Sequence, residues 1–354
     1  MTVSVLISSL PKMTCLVLSA VAMSCAVAAE PLPGQGCIVI ADAAKRLSCY
    51  DQALNRTAIL PAQQLPPPQP ATEATTSPVA IAASSTKNPS PVTATWELES
   101  TEKRGTFKLV PHKLNYVLPV VHSSSPNLRP GSPAAGHTVT EDQAVDATEA
   151  KFQFSFKTKA WENMFGDNGD LWFAYTQQSE WQAYNDKKSS PFRETNYEPE
   201  VFVALRTDVN LLGWQWRGLN LGYVHQSNGR EIPLSRSWNR LYAQFALERG
   251  NFTLLARPWY RLPESTAKDD NPDIRDYMGS GDLRLVYSNG GHVVSALGRY
   301  STSGKHGGAQ LEWAFPISKA LKGYLQVTSG YGASLIDYNH SQTTIGVGFL
   351  LLPW

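Results

Sequence analysis

From about residue 149 to the end of the chain, apolar and polar positions alternate with a period of two. Phe152, Phe154 and Phe156 alternate with Lys151, Gln153 and Ser155, and Leu171, Phe173 and Tyr175 alternate with Trp172, Ala174 and Thr176. Successive side chains of a strand point to opposite faces, so each run predicts a strand with one apolar and one polar face. Similar runs occupy about 199–207, 215–226, 238–248, 251–261, 278–288, 291–301, 308–315, 321–330 and 343–352, which makes eleven strands. Phe107 to Val121, despite its two prolines, supplies a twelfth. Many strands of about ten residues, apolar on one face and polar on the other, are the pattern of an outer-membrane barrel. Trp214, Trp216, Trp238, Trp259, Tyr260 and Trp313 are expected in the aromatic girdles at the two membrane interfaces. A soluble β-sandwich would leave the aliphatic outer faces without a partner. The expected fold is therefore all-β, a twelve-stranded antiparallel transmembrane β-barrel with an N-terminal extension and a Pro-rich linker.

The part ahead of the barrel divides by composition. Lys12 precedes an apolar stretch from Cys15 to Met23 that ends in the small residues Ala26, Ala28 and Ala29, so residues 1–29 read as a cleaved signal peptide. The stretch is shorter than the ~20 residues a spanning helix needs. Residues 30–55 form a small unit bracketed by Cys37 and Cys49, with helical spacing at Ala43, Leu47, Tyr50 and Leu54. In an exported chain these two cysteines are expected to form a disulfide. Residues 56–100 are rich in Pro, Ala, Ser and Thr and read as a linker, and residues 101–354 carry the barrel. A formal net charge of +1 argues against a nucleic-acid partner.

Candidate chemistry lies in two neighbouring strands. His225 and Ser227 are two apart, and Asn239 opens the next strand beyond a polar loop. Residues i and i+2 of a strand share a face ~6.6 Å apart, so an imidazole can reach towards a hydroxyl. Nucleophile, base and orienter are the three roles of a serine hydrolase. A polar hairpin tip would also hold His, Ser and Asn. The alternation, however, puts all three on the apolar face with Leu219, Leu221, Tyr223 and Leu241, while Arg240 and Gln244 point the other way. Polar groups on an apolar face need partners. A lipid hydrolase working from the outer wall of a barrel needs this arrangement.

Several blocks in order resemble outer-membrane phospholipase A of Gram-negative bacteria: Tyr175 to Gln177, Ser189 to Pro199, the His225–Asn239 segment, Asp269 to Ile274 and Ser329 to Asn339. The resemblance runs from about Arg104 to the end and says nothing about the front part. It implies calcium-dependent hydrolysis of phospholipid acyl esters, with A1, A2 and lysophospholipase activity, by a homodimer in the outer membrane. Carried over by position, His225 is the base, Ser227 the nucleophile and Asn239 the orienter. Calcium would be held by the carbonyl of Arg230, the hydroxyl of Ser235, Asp270 and, across the dimer, the partner's Ser189. Gln177 takes the place of an interfacial glutamine that pairs the monomers. The pair Glu231-Ile232 follows Arg230 where the family commonly has smaller or acidic residues, a departure carried by the large apolar Ile232. The rival readings are a passive porin-like barrel and a structural barrel whose extension carries the function.

Overall fold

The computed structural model describes residues 35–53, 90–319 and 321–352. The signal peptide and most of the linker, residues 1–34 and 54–89, lie outside the described residues. The chain divides into two units, Met1–Ala82 and Ala83–Trp354. In the first, a 3₁₀ turn at Gln35–Val39 precedes α1 (Ala43–Ala53). Asp42 caps this helix by accepting from the backbone of Ala44 and Lys45, each at 3.0 Å. Cys37 and Cys49 are joined by a disulfide with Cα atoms 5.7 Å apart.

The second unit is a closed barrel. Its strands are β1 (Leu109–Pro111), β2 (Asn115–Ser123), β3 (Thr148–Trp161), β4 (Asp170–Trp181), β5 (Phe192–Leu211), β6 (Trp214–Ser227) and β7 (Ser237–Arg249). They continue as β8 (Phe252–Arg261), β9 (Gly281–Asn289), β10 (His292–Tyr300), β11 (Gly307–Pro316), β12 (Lys322–Tyr331) and β13 (Ser341–Leu352). β2 to β13 run antiparallel in chain order, and pairing of β13 with β2 closes the ring of twelve. The short β1 pairs with Phe156–Thr158 of β3, below the stretch that β2 covers. The two thus form one interrupted strand, the twelfth expected from Phe107 to Val121. Pro119 lies within the register shift between Leu118 and Val121, where a residue without an N–H costs no ladder bond.

Alternation divides two environments. Leu221, Leu241, Phe173, Leu283, Leu311, Ile345 and Val347 are all exposed on the outer wall, 46–56 % accessible. An apolar belt of that extent is a membrane surface. Among the described residues no helix is long and apolar enough to cross a membrane, so any crossing falls to strands. The inner wall carries charge in pairs: Lys113 Nζ to Glu198 (2.5 Å) and Glu200 (2.9 Å), and Arg257 to Asp282 (2.8 Å). Trp238 and Trp259 are not in the girdles. Both point inward, Trp238 wholly inaccessible, edge-on to each other at 6.1 Å with the Arg240 guanidinium 4.0 Å above Trp238. Their positions share parity with inward neighbours, and parity outweighs the general preference of tryptophan for interfaces.

The barrel unit also begins earlier than residue 101. Within the stretch read as linker, α2 (Pro91–Trp96) starts at Ser90, whose hydroxyl accepts from Thr93 N at 3.0 Å with Pro91 at the first helical position. It packs on lumen-facing groups. Val92 N donates to Glu248 (2.8 Å), Lys157 Nζ donates to Thr95 O (2.5 Å), and Lys159 pairs with Glu97 (2.9 Å). Val92, Trp96 and Leu98 are buried there against Trp172 and Phe202, which supplies the apolar burial a free linker lacks. A cavity of about 600 Å³ remains beside α2.

One end of the barrel has tight turns, such as those at Leu212–Gly213 and Gly290–Gly291, and the other has long loops. At that end the strand ends are tied to the β12–β13 loop by charge. Arg193 pairs with Asp337 (2.9 Å) and Glu149 (2.9 Å) and also with Glu180. Burial, the largest influence, pushes the Asp337 carboxyl up. Arg193 beside it, with hydrogen bonds from Ser334 and Asn127, outweighs this and holds it below its ordinary value. A carboxyl depressed in the folded state stabilises fully above its unfolded pKa, and that contribution fades as pH falls through the folded value. Unfolding midpoints in guanidinium should therefore drop as pH is lowered from about 5 towards 2, and Asp337→Asn should start lower at neutral pH and show a shallower drop. Parallel pH curves for the two proteins would contradict this.

Candidate active site

The β6–β7 hairpin aligns the candidate residues rung by rung: Tyr223 opposite Leu241, His225 opposite Asn239, and Ser227 opposite Ser237. All lie on the outer face, because the even-numbered residues between them, Val224, Gln226, Trp238 and Arg240, are buried inward. Directly opposed residues have Cβ atoms about 4.5–5.5 Å apart, close enough for short side chains to bond.

The carboxamide of Asn239 joins three groups. Its Oδ1 accepts from the Tyr223 hydroxyl at 2.6 Å and from His225 Nδ1 at 2.9 Å, and its Nδ2 donates to Glu264 Oε1 at 2.7 Å. A carboxylate only accepts, so the amide nitrogen must face Glu264 and the oxygen must face the ring. An amide oxygen only accepts too, so Nδ1 of His225 carries the hydrogen. The other nitrogen, Nε2, is then the basic one. Ser227 lies two residues on along the same face, and among the described residues its hydroxyl makes no hydrogen bond. Catalytic bonds of this kind are commonly long without substrate.

The connecting loop, residues 228–236, is held by its own side chains. Asn228 Oδ1 accepts from Arg236 N (2.9 Å) and its Nδ2 donates to Leu234 O (2.8 Å). Gly229 has φ +61°, a conformation that favours glycine, and a Cβ there would meet the Tyr197 ring at a tight 3.1 Å. The inaccessible Arg236 donates to Ser235 O (2.7 Å) and to His137 O (3.1 Å), fastening this loop to the one between β2 and β3.

Of the expected calcium ligands, the fold brings two together. Ser235 Oγ donates to Asp270 Oδ2 at 2.7 Å, and Ser237 Oγ reaches the same oxygen at 3.2 Å. Asp270 Oδ1 faces His137 Nε2 at 3.1 Å. The Arg230 carbonyl lies on the same loop as Ser235, whereas Ser189 sits in the β4–β5 connection with φ 57°. No contact joins Arg230 or Ser189 to that pair. Among the described residues no group of three or more His, Cys, Asp or Glu is placed to hold a metal. The donors present are hydroxyl, carboxylate and carbonyl oxygens, a set that suits calcium and not zinc. Gln177 points outward between Tyr175, whose hydroxyl donates to its Oε1 at 3.2 Å, and Ser179, which its Nε2 reaches at 3.3 Å. A carboxamide has two hydrogens and two acceptor sites, so half its capacity stays open towards a neighbour.

Sequence reasoning passed over Tyr223, Glu264 and His137 as site residues. Tyr223 was legible as a hydroxyl two positions before His225 on the same face. Glu264 and His137 reach the site from distant loops, which no local pattern reveals.

The family model described as Phospholipase A1 matches residues 92–351. The chain is 43 % identical over 265 residues to a putative phospholipase A1 of Neisseria meningitidis serogroup B, covering 73 % of this chain and 69 % of that protein. Outer membrane phospholipase A from Escherichia coli matches in structure with TM-score 0.64 at 43 % identity, covering 71 % of this chain and 94 % of that one. The outer membrane phospholipase of Salmonella typhi, solved as a dimer with bound calcium, matches with the same TM-score of 0.64 at 42 % identity, covering 71 % and 94 %.

The unequal duties of imidazole and amide generate an order of effects. His225→Ala removes the proton acceptor and should slow ester hydrolysis on the order of a thousandfold. Asn239→Ala leaves the proton acceptor in place and should slow it less than His225→Ala does. Turnover of a short-chain ester by the purified variants measures both, and equal, complete losses would show that Asn239 does more than orient.

Proposed function

The chain belongs to the phospholipase A1 family, and from that premise we propose that it hydrolyses acyl esters of membrane phospholipids from the outer wall of its barrel, in the outer membrane, as a calcium-dependent homodimer. What supports the reading is the outward-facing hairpin on which His225 Nδ1 bonds Asn239 Oδ1 and Ser227 follows two residues on along the same face.

Ser227 Oγ attacks the ester carbonyl as its proton passes to Nε2. The tetrahedral oxyanion collapses, the imidazolium returns the proton to the departing alkoxide, and an acyl-Ser227 ester remains. His225 then takes a proton from water, which releases the fatty acid by the same steps in reverse order. A lipid-facing wall supports this assignment of residues, because a charge on that face is unfavourable and a neutral amide avoids that cost. Calcium, held by the Arg230 carbonyl, Ser235, Asp270 and the partner's Ser189, would supply positive charge to the developing oxyanion. The outer row Leu221, Tyr223 and Leu241 borders an apolar groove with Leu171, Val201 and Val203, where acyl chains find apolar contact. A passive pore needs a continuous aqueous lumen, and α2 with the inward tryptophans and ion pairs weighs against one.

Two experiments test the reading. Ser227→Ala should lose phospholipid hydrolysis while keeping the heat-modifiable migration of a folded barrel, and near wild-type turnover would remove Ser227 from the mechanism. Calcium and dimerisation should be linked, since a ligand set completed across the interface must favour dimers by the factor by which dimers favour calcium. Analytical ultracentrifugation in detergent, across a calcium titration with inhibitor bound, should show a rising dimer fraction. Gln177→Ala should raise the calcium needed. A dimer fraction indifferent to calcium while hydrolysis responds would mean that each barrel holds a complete site of its own.

A further inference from the structure

We infer that Glu264 is a positioning residue of the reaction, acting on His225 through Asn239; this rests on the hydrolase reading above. Asn239 has no intrinsic preference for which end of its amide faces the ring. The Tyr223 hydroxyl can donate or accept and does not decide the matter alone. The Glu264 carboxylate decides it: with Nδ2 bound at 2.7 Å, a flipped amide would set its oxygen against a carboxylate oxygen and its NH₂ against the ring. The correct flip keeps the hydrogen on His225 Nδ1 and the lone pair on Nε2.

The loop after β8 is built to hold Glu264 in place. Leu262 N donates to the backbone oxygen of Asn239 at 2.8 Å, which registers the loop against the residue it serves. Arg261 pairs with Asp269 at 2.6 Å, and Asn271 Oδ1 accepts from Ser237 N at 3.0 Å, so the loop is fastened at both ends. The same loop carries Asp270, so one segment touches both the orienter and the proposed calcium ligands.

The arrangement also places charge where it is tolerated. Glu264 lies in a loop beyond the strands, one hydrogen bond removed from the ring, and not on the wall beside His225. Its charge polarises the Asn239 amide, making Oδ1 a stronger acceptor as the imidazolium forms, because bonds in series reinforce one another. The outer wall thus has a serine, histidine and asparagine, with a carboxylate behind them.

The test uses full-length protein in detergent with calcium, and two readouts. Glu264→Ala should lower kcat for a phospholipid ester about tenfold with KM unchanged, the scale of one charge-assisted hydrogen bond. Glu264→Gln, which keeps an acceptor but permits either flip, should recover part of that loss. In an Asn239→Ala background Glu264→Ala should change kcat less than twofold, since the group it acts through is gone. The second readout is the rate at which an alkylsulfonyl fluoride modifies Ser227, followed by mass. It should fall by a similar factor in Glu264→Ala and is independent of whether phospholipid is the substrate. A tenfold loss that persists in the Asn239→Ala background, or equal sulfonylation rates for wild type and Glu264→Ala, would overturn the inference. Modification of Ser227 without fatty-acid release by wild type would instead strike the proposed substrate and leave Glu264 its role.

Discussion

A single carboxamide sets the chemical state of the site. Asn239 stands on a wall whose neighbours are leucines and tyrosines, where an unsatisfied polar group costs about 1–3 kcal/mol. Its oxygen accepts from Tyr223 and His225, and its nitrogen donates to Glu264. Each bond constrains the next: the carboxylate fixes the amide, the amide fixes the imidazole hydrogen, and the imidazole is left with its basic nitrogen free. Removing any partner leaves another polar atom facing hydrocarbon. That mutual dependence explains how a polar cluster persists on the outside of a membrane barrel.

The inside of the barrel follows the opposite rule with the same alternation. Charged groups line the lumen and pair across it, as Lys113 does with Glu198 and Glu200. Inward Trp238 packs directly behind Asn239, so the backbone that carries this amide is backed by a filled interior. The N-terminal helix α2 adds Trp96 and Val92 to that filling from a segment ahead of the barrel. A packed lumen gives the outer wall a stiff support, and stiffness is what a site built on strands offers over one built on loops.

Much of this was legible in the sequence because strand alternation is a local signal. The eleven runs, the interrupted twelfth, and the outward placement of His225, Ser227 and Asn239 all follow from period two. Trp238 and Trp259 show where composition misleads: tryptophan suggests an interface, but the parity of Arg240 and Tyr242 already placed Trp238 inside. The start of β5 at Phe192 was hidden because its inward residues, Glu194 and Asn196, are polar and serve the loop network, which makes the segment look like a turn. Pro91 to Leu98 looked like linker because Val92, Trp96 and Leu98 are too few to bury on their own; they become core against lumenal Trp172 and Lys157. The contacts of Glu264 and His137 span 25 and 133 residues along the chain, and such closures are set by the fold and not by any window of sequence.

On the proposed function, this hairpin hydrolyses phospholipid with calcium bound by oxygen ligands around Ser235 and Asp270. The most direct measurement is fatty-acid release from mixed phospholipid–detergent micelles by the wild-type protein, first with EDTA and then with calcium restored. Steady release with calcium, near-complete loss with EDTA, and recovery on adding calcium back are expected. Release that is unaffected by EDTA, or no release under any condition, would contradict that function.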